Sequence, residues 1–415
     1  MLIKLAYKSL LDRKSAVILS VISITIGIML LISFNYIKDQ VRTSFSKTIS
    51  GIDLIVGAKT SDVNLLLNSV FHIGNATDNI SWKEFQSIKT NDKVKWAIPI
   101  SLGDSHRRYR VIGTEKSYFS NYQYGNKKSL QTSQGHWFDH PFDVVIGHEV
   151  AKTLNYAIDD KISLSHGVGK TSFKNHDQIQ FKIKGILSQT GTPIDQSLFI
   201  SLFGLEAVHL NWPKSIEEQK LLTEHIVNNG LPLKSVTAAF ITLKNKSATF
   251  VMQRQINQIK TEPLQAILPG VALAQLWKLS KTFETVLWLV GSLVFISTII
   301  GLVNMLITSL QFRKKELALL RIIGASPLFC FLLIQIESLL VVLTAIVLAT
   351  LSIYAVFFIL GSWLSTEFGF FIDLSAYWNT ELLLILLILI LLSISLVCIP
   401  AIMFYRQSSL KNINQ

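Results

Sequence analysis

Residues 285–312 read TVLWLVGSLVFISTIIGLVNMLITSLQF and contain no Asp, Glu, Lys or Arg. This apolar run is longer than the roughly 20 residues with which a helix crosses about 30 Å of hydrocarbon. Three further stretches, 15–37, 338–366 and 382–405, are equally free of these residue types. The sequence therefore predicts a membrane protein with four transmembrane α-helices. Their predicted bounds are residues 15–37, 285–312, 327–355 and 381–405.

The composition agrees with a membrane protein. Of the 415 residues, 50% are apolar and only 16% are charged, against roughly 25% charged in an average soluble protein. The mean hydropathy of +0.42 excludes a disordered chain and a fibrous one. Cys330 and Cys398 are the only cysteines, both within apolar runs, so no disulfide framework carries the fold. The net charge of +12 does not predict a nucleic-acid partner, because the basic residues divide between membrane-flanking segments and a solvated domain.

In the short segments that flank the predicted spans, Lys and Arg residues lie on one side. They precede the first span and follow the second and the fourth, whereas the predicted loop at 356–380 contains none. Because cytoplasmic segments carry an excess of positive charge, both termini (1–14 and 406–415) and residues 313–326 are predicted to be cytoplasmic. The short loop at 356–380 and the long segment 38–284 are then extracytoplasmic. Long domains cross the membrane largely regardless of their charge, so the Lys and Arg in 38–284 do not contradict this orientation.

The segment 38–284 is predicted to be a large mixed α+β domain. Short runs such as 94–100 and 236–243 carry apolar residues at strand spacing. Helical stretches begin at Ser residues, as at Ser81, where Glu84 three positions later fits a capping box.

The two ends of this domain are predicted to be helical stalks. Residues 38–50 and 271–283 contain neither Pro nor Gly and run directly into the first and second spans. We expect the two spans to continue outward as rods that couple any tilt of the membrane helices to the domain.

A search for a nucleotide-binding motif finds only Gly169-Lys170-Thr171. A phosphate-binding loop needs a glycine five positions before Gly169, and Leu164 stands there. The chain is therefore predicted to bind no nucleotide and to be no ATPase itself. Energy from ATP must come from a partner chain, which would carry the ATP and Mg.

All nine histidines lie in the predicted extracytoplasmic domain, and His136 and His140 have the spacing of a metal-binding pair on a helix. Gly135 and Pro141 instead favour a loop at this position. We expect no metal site, with His136 and His140 as the candidates if one exists.

Three residues within the spans have special chemistry. Glu337 is an ionisable residue inside a predicted span, where a carboxylate costs at least ~2.5 kcal/mol, so it either has a function or hydrogen-bonds within the helix bundle. Ser23 and Gly27, four residues apart in the first span, would permit close helix packing.

Residues 313–326 read RKKELALLRIIGAS. Strong helix formers followed by a glycine predict an amphipathic helix with a defined end. Positive charge for membrane orientation does not require such a helix, so we interpret the segment as a docking surface for a cytoplasmic protein.

This segment resembles the RRREIALLRALGAS signature that follows the second span in the MacB-like, LolC/LolE-like and FtsX-like permeases of ABC systems. Residues 3–14 resemble the amphipathic N-terminal elbow of that family, and 336–340 resemble the EALLL pattern of its third span. CIPA at 398–401 resembles its closing segment. In the large domain, 145–164 resembles the VIGxxVAxxLxxxxGDxIxL element of MacB-type domains.

The resemblance implies a multi-pass permease of a bacterial cytoplasmic (inner) membrane that converts the motion of a separate ATPase into movement of its periplasmic domain. Implied partners are two copies of a cytoplasmic ABC ATPase, a second permease subunit, identical or homologous, and a periplasmic adaptor or substrate protein. The substrate would be a lipoprotein, peptide, drug or metal-associated factor. The residues assigned to contact with the ATPase are Arg313, Lys315, Glu316, Ala318, Leu320, Arg321, Gly324 and Ser326.

Two alternatives remain open. An FtsX-like signalling protein would use the same architecture to activate a cell-wall hydrolase or another periplasmic partner. An intramembrane enzyme or ion carrier built on Glu337 would need a second acidic or histidine residue in the interior of the spans, and the sequence has none there.

Overall fold

The computed structural model describes residues 2–166, 179–210, 212–213, 215–312, 322–368, 378 and 380–410. The helices are α1 (Leu2–Leu11), α2 (Lys14–Thr48), α3 (Asp62–Phe71), α4 (Trp82–Lys89), α5 (Ser117–Asn121), α6 (His148–Leu154), α7 (Leu202–Val208), α8 (Ile216–Asn229), α9 (Thr249–Asn257), α10 (Pro269–Phe312), α11 (Pro327–Phe368) and α12 (Thr380–Leu410).

The strands are β1 (Leu54–Ala58), β2 (Ile80–Ser81), β3 (Val94–His106), β4 (Tyr109–Thr114), β5 (Gln123–Tyr124), β6 (Lys128–Ser129), β7 (Thr132–Gly135), β8 (Asp143–Ile146), β9 (Lys161–Ile162), β10 (Ser165–His166), β11 (Phe181–Leu187), β12 (Ser197–Ser201), β13 (Ser235–Val236), β14 (Ala238–Leu243) and β15 (Leu264–Ile267).

The described residues form two compact units. The helical unit contains those of 2–40, 281–362, 378 and 380–410. The second unit contains those of 41–280, which form the large domain, together with 363–368. The boundaries between the units after residues 40, 280 and 362 fall inside α2, α10 and α11.

Three helices of the described chain are long and apolar enough to cross a membrane, namely Lys14–Thr48, Pro269–Gly301 and Leu328–Gly361. The helix α12 contains a shorter apolar stretch, Leu382–Ser395, so a fourth span stays a prediction. In the loop predicted at 356–380, residues 356–368 continue α11 as a helix. Residues 356–368 contain no proline and are mostly apolar, so nothing in them ends the helix.

Small side chains bring the helices of the helical unit together. Thr25 of α2 donates a hydrogen bond from Oγ1 to the carbonyl of Ala345 in α11 at 3.4 Å. The rings of Tyr36 and Phe357 meet further along the same two helices, with centroids 5.2 Å apart. Gly291 of α10 approaches α2 so closely that a Cβ there would lie 3.1 Å from a methyl of Leu31. Close approach at small residues is how membrane helices pack in general.

The large domain is built on one mixed sheet. Its strand order is β15-β1-β14-β3-β4-β12-β8-β11-β7, with β10 beside β3 and β9 beside β11. The pairs β4/β12 and β8/β11 are parallel. Strand β1 follows α2 and strand β15 precedes α10, and the two strands pair, with Ile55 opposite Ile267. The chain therefore enters and leaves this domain along neighbouring strands.

Helices cover both faces of the sheet. Ile55 of β1 packs in a cluster with Leu66 of α3, whereas its neighbours Leu54 and Val56 pack on the opposite face with Phe85 of α4. Successive strand residues point to opposite faces, and both faces are buried here. This is why β1 is apolar throughout instead of alternating.

At the start of α4, one capping hydrogen bond follows the local sequence pattern and the other involves a residue that is distant in the chain. The Glu84 N–H donates to Ser81 Oγ at 3.2 Å, as the capping-box pattern predicts. The reciprocal bond comes from elsewhere, because the Ser81 N–H donates to the carboxylate of Glu262 at 3.0 Å. The Glu84 carboxylate instead accepts from the Thr261 hydroxyl at 2.8 Å.

Candidate functional site

The predicted docking segment is described only at its C-terminal end. Ile322 and Ile323 are 84% and 77% exposed, and Gly324 follows with φ +105°. Glycine adopts this left-handed conformation at little cost, whereas an L side chain there would be strained. The assigned residues Arg313, Lys315, Glu316, Ala318, Leu320 and Arg321 lie outside the described residues, as does Gly169-Lys170-Thr171.

Ser326 begins α11. Its Oγ accepts a hydrogen bond from the Phe329 N–H at 3.2 Å, which satisfies one of the free N–H groups at a helix start. The turn formed by Gly324 and Ser326 thus lies at the C-terminal end of the predicted docking segment, directly before α11. Ile322 and Ile323, which the sequence analysis did not single out, place exposed apolar surface directly before that turn.

Glu337 is buried in the helical unit, with 4% of its surface exposed. Its neighbours on the same face of α11, Ile334 and Val341, are also buried. Of the predicted packing pair, Gly27 is buried on α2 and Ser23 is exposed.

The two metal candidates lie in a loop. His136 Nδ1 is 2.8 Å from the carbonyl of Trp137 and 3.6 Å from Asp139. His140 contributes its backbone N–H to the carboxylate of Asp143 at 2.9 Å. No group of three or more His, Cys, Asp or Glu side chains within the described chain could hold a metal ion.

A half-buried histidine occupies the end of α3. His72 has φ +57° and its Nδ1 is 3.2 Å from the hydroxyl of Ser197. Burial, with a smaller effect of the Arg110 charge, lowers the pKa of His72 to about 3. His72 is therefore neutral in the folded protein at physiological pH.

The C-terminal end of α2 and the N-terminal end of α10 meet in an aromatic cluster of the large domain. Phe45 of α2 stacks on Phe71 of α3, with ring centroids 4.2 Å apart, and meets Trp277 of α10 edge-on at 5.7 Å. Ala272 of α10 is fully buried in the same core, with Leu273 packed against it. Both long helices are therefore fixed to the same apolar core.

Hydrogen bonds hold the C-terminal end of α2 as well. The carbonyl of Lys47 accepts from the Gly125 N–H at 2.7 Å, and the carbonyl of Thr48 accepts from the Tyr122 hydroxyl. These are carbonyls that a helix end leaves without intrahelical partners. The sequence analysis predicted the stalk helices but found none of these attachment residues. The available signal was the presence of the aromatic residues Phe45 and Trp277 in the stalk segments.

Comparison with known proteins agrees with this architecture. Residues 17–259 match the MacB-like periplasmic core domain, and 288–410 match the FtsX-like permease C-terminal domain. No curated protein matches the chain.

Two solved structures are similar to it. The periplasmic region of MacB from Actinobacillus actinomycetemcomitans has 8% identity and a TM-score of 0.33, covering 56% of this chain and 97% of that one. The extracellular domain of the ABC-type transporter YknZ from Gram-positive bacteria has 10% identity and a TM-score of 0.29, covering 52% of this chain and 98% of that one. Since the two family matches cover most of its length, the chain belongs to the family of MacB- and FtsX-like ABC permeases.

Proposed function

We propose that this chain is the membrane subunit of a bacterial ABC transporter that moves its large domain in response to a separate cytoplasmic ATPase. Residues 313–326 would contact the ATPase, and the helices α2 and α10 would carry the motion across the cytoplasmic membrane. The large domain would act on a periplasmic or membrane-derived substrate, such as a lipoprotein, peptide, drug or metal-associated factor.

The continuity of the two long helices is the observation that supports this proposal best. The helix α2 runs without interruption over Lys14–Thr48, and α10 over Pro269–Phe312. Each continues into the core of the large domain, where Phe45 and Trp277 are in contact. A continuous helix transmits displacement along its axis, whereas a flexible loop between span and domain would absorb it.

The proposed assembly contains two copies of the ATPase, which bind the ATP and Mg, and a second permease subunit. A periplasmic adaptor or substrate protein completes it. In this assembly the chain itself performs no chemistry. Its exposed turn at Gly324 and Ser326 and the apolar pair Ile322 and Ile323 favour a protein contact beside the membrane.

Interrupting a long helix tests the proposal. Thr282 is exposed on α10 near the boundary between the units, and Thr282→Pro would break the helix at a cost of ~3 kcal/mol. The distance between spin labels at Phe250 and Leu351, which are 72% and 60% exposed, is measured with the ATPase in nanodiscs, before and after ATP. We expect a change in the wild type and in the control Thr282→Ala, and no change in Thr282→Pro.

Failure of the wild-type distance to respond to ATP would contradict the proposal. An equal response in Thr282→Pro would contradict the role of α10. If the distance responds but loss of the gene leaves export intact and a cell-wall hydrolase copurifies with the chain, the function is the signalling alternative.

A further inference from the structure

The loop between β11 and β12 is closed by a buried carboxylate. Asp195 is fully buried, and its oxygens accept hydrogen bonds from the Thr190 N–H at 2.9 Å, the Thr190 hydroxyl at 2.9 Å and the Gly191 N–H at 2.7 Å. Burial raises the pKa of Asp195 in spite of these donors. Three hydrogen bonds to one side chain fix the shape of residues 190–195.

This loop contacts the first long helix through one polar bond. Ser44 is buried on α2, and its hydroxyl donates to the carbonyl of Gly191 at 3.3 Å. Gly191 has φ +70°, a conformation that other residues rarely adopt. The Asp195 carboxylate holds the N–H of this same residue. Asp195 therefore orients the carbonyl that meets α2.

The other side of the loop packs on strands far from α2 in the sheet. Gly147, which precedes α6, lies so close that a Cβ there would be 2.3 Å from the Asp195 carbonyl oxygen and 2.4 Å from that of Ile194. Strand β12 begins two residues after Asp195 and pairs with β8. A displacement of the loop would therefore push directly on α6 and β12.

We infer that Asp195 is a positioning residue that passes displacement of α2 to the β8–β12 part of the large domain through the carbonyl of Gly191. This rests on the proposed function. The aromatic contact of Phe45 joins α2 to α3. The hydrogen bond of Ser44 joins α2 to the loop at Gly191, which lies beside β12 and α6. Two attachments of one helix would then move two parts of the domain together.

Ser44→Ala is the variant that separates this role from folding. It removes one hydroxyl from α2 and leaves the bonds between Asp195 and the loop in place. Ser44→Thr keeps the hydroxyl, and Ser46→Ala is a control at an exposed position of the same helix.

Hydrogen exchange of the full chain in nanodiscs, without ATP, is the first measurement. We expect the amides of residues 190–195 and of α6 to exchange about fivefold faster in Ser44→Ala, the factor that corresponds to the loss of one ordinary hydrogen bond. Ser44→Thr and Ser46→Ala should exchange like the wild type, and so should α3 in all variants. Unchanged exchange of 190–195 in Ser44→Ala would overturn the inference, whatever ATP does.

The second measurement follows motion inside the large domain. Spin labels at Ser46 on α2 and Lys152 on α6, both exposed, are placed in a chain whose two cysteines are replaced by alanine, with the ATPase present. We expect ATP to change their distance, Ser44→Ala to reduce that change at least twofold and Ser44→Thr to restore it. A full change in Ser44→Ala would overturn the inference while leaving the proposed function intact. The Phe250 to Leu351 distance tests that function separately.

Discussion

Phe45, the fourth residue from the end of a 35-residue helix, stacks on Phe71 of the large domain with ring centroids 4.2 Å apart. Most of that helix consists of residues suited to a membrane, yet its last turns belong to the core of a different unit. A helix that ends inside a packed core cannot turn or slide without disturbing it, since interiors are packed as densely as organic crystals.

The first prediction concerns this contact. Phe45→Ala should lower the free energy of unfolding of the large domain by about 2 kcal/mol, because it removes an aromatic pair and leaves a cavity beside Trp277. Thermal unfolding of the full chain, followed by tryptophan fluorescence, measures the effect. Thr43→Ala, at an exposed position of the same helix, should leave the midpoint unchanged. Equal midpoints for the two variants would show that the stacking contributes nothing.

The second prediction concerns Gly147. Gly147→Ala should destabilise the large domain by roughly 1–3 kcal/mol, because the new methyl would overlap backbone oxygens that cannot rotate away. Gly103 is the matched control, since a Cβ there would meet nothing within 4 Å. Denaturant unfolding of both variants provides the comparison. A neutral Gly147→Ala would mean that α6 can shift away from the loop.

The third prediction is a pH dependence from His72. Its pKa is lowered from 6.5 to about 3 in the folded protein, so the unfolded chain binds a proton that the folded chain does not. Stability from this residue is therefore fully present above pH 6.5 and is lost as the pH falls toward 3, by up to ~1.4 kcal/mol per pH unit.

The variant His72→Asn provides the test, because asparagine tolerates the positive φ of this position. We expect the midpoint of thermal unfolding to fall less steeply between pH 6.5 and 5 in His72→Asn than in the wild type. His225→Gln, at an exposed position of α8, should keep the wild-type slope. Identical slopes for His72→Asn and the wild type would rule out His72 as the source.

The fourth prediction concerns the start of α11. Ser326→Ala removes the side-chain acceptor of the Phe329 N–H and should cost about 1 kcal/mol locally. We expect faster amide exchange in the first turn of α11 and wild-type exchange beyond Glu337. Ser326→Asp, which can also cap a helix, should restore slow exchange. If the alanine and aspartate variants exchange alike, the Ser326 hydroxyl does not cap the helix.

The fifth prediction concerns the docking segment and follows from the sequence alone. Glu316→Lys combined with Arg321→Glu keeps the net charge but reverses its pattern, and it should abolish copurification of the ATPase or uncouple ATP hydrolysis from movement of the large domain. Lys8→Glu, at an exposed position of α1, controls for a general charge effect. Wild-type ATPase binding and activity in the double variant would argue against a docking role.

Local chemistry explains what the sequence predicted well. Ser61 and Ser81 precede α3 and α4, and each accepts the hydrogen bond that its position predicts. Such caps depend on residues three positions apart, so a single sequence contains the information. The strands β8 and β12 are short and buried almost throughout, so they lack the alternation of apolar and polar residues that marks a half-buried strand in a sequence.

The attachment of α2 could not have been predicted in this way. Ser44 and Gly191 are 147 residues apart in the chain, and Tyr122 is 74 residues from the carbonyl that it binds. Nothing in the local sequence of either partner indicates the other, because these contacts depend on the order of strands in the sheet. The same applies to Glu262, which takes the capping position that the pattern assigned to Glu84.

The pairing of β1 with β15 has a consequence for how such proteins diversify. Because the polypeptide arrives and departs side by side, with Ile55 opposite Ile267, the whole segment between them resembles an insertion into one hairpin. An insertion of this kind can be exchanged between relatives at two adjacent cut sites. Chimeras joined at those sites would combine the membrane helices of one permease with the large domain of another. They would show directly which of the two parts determines the substrate.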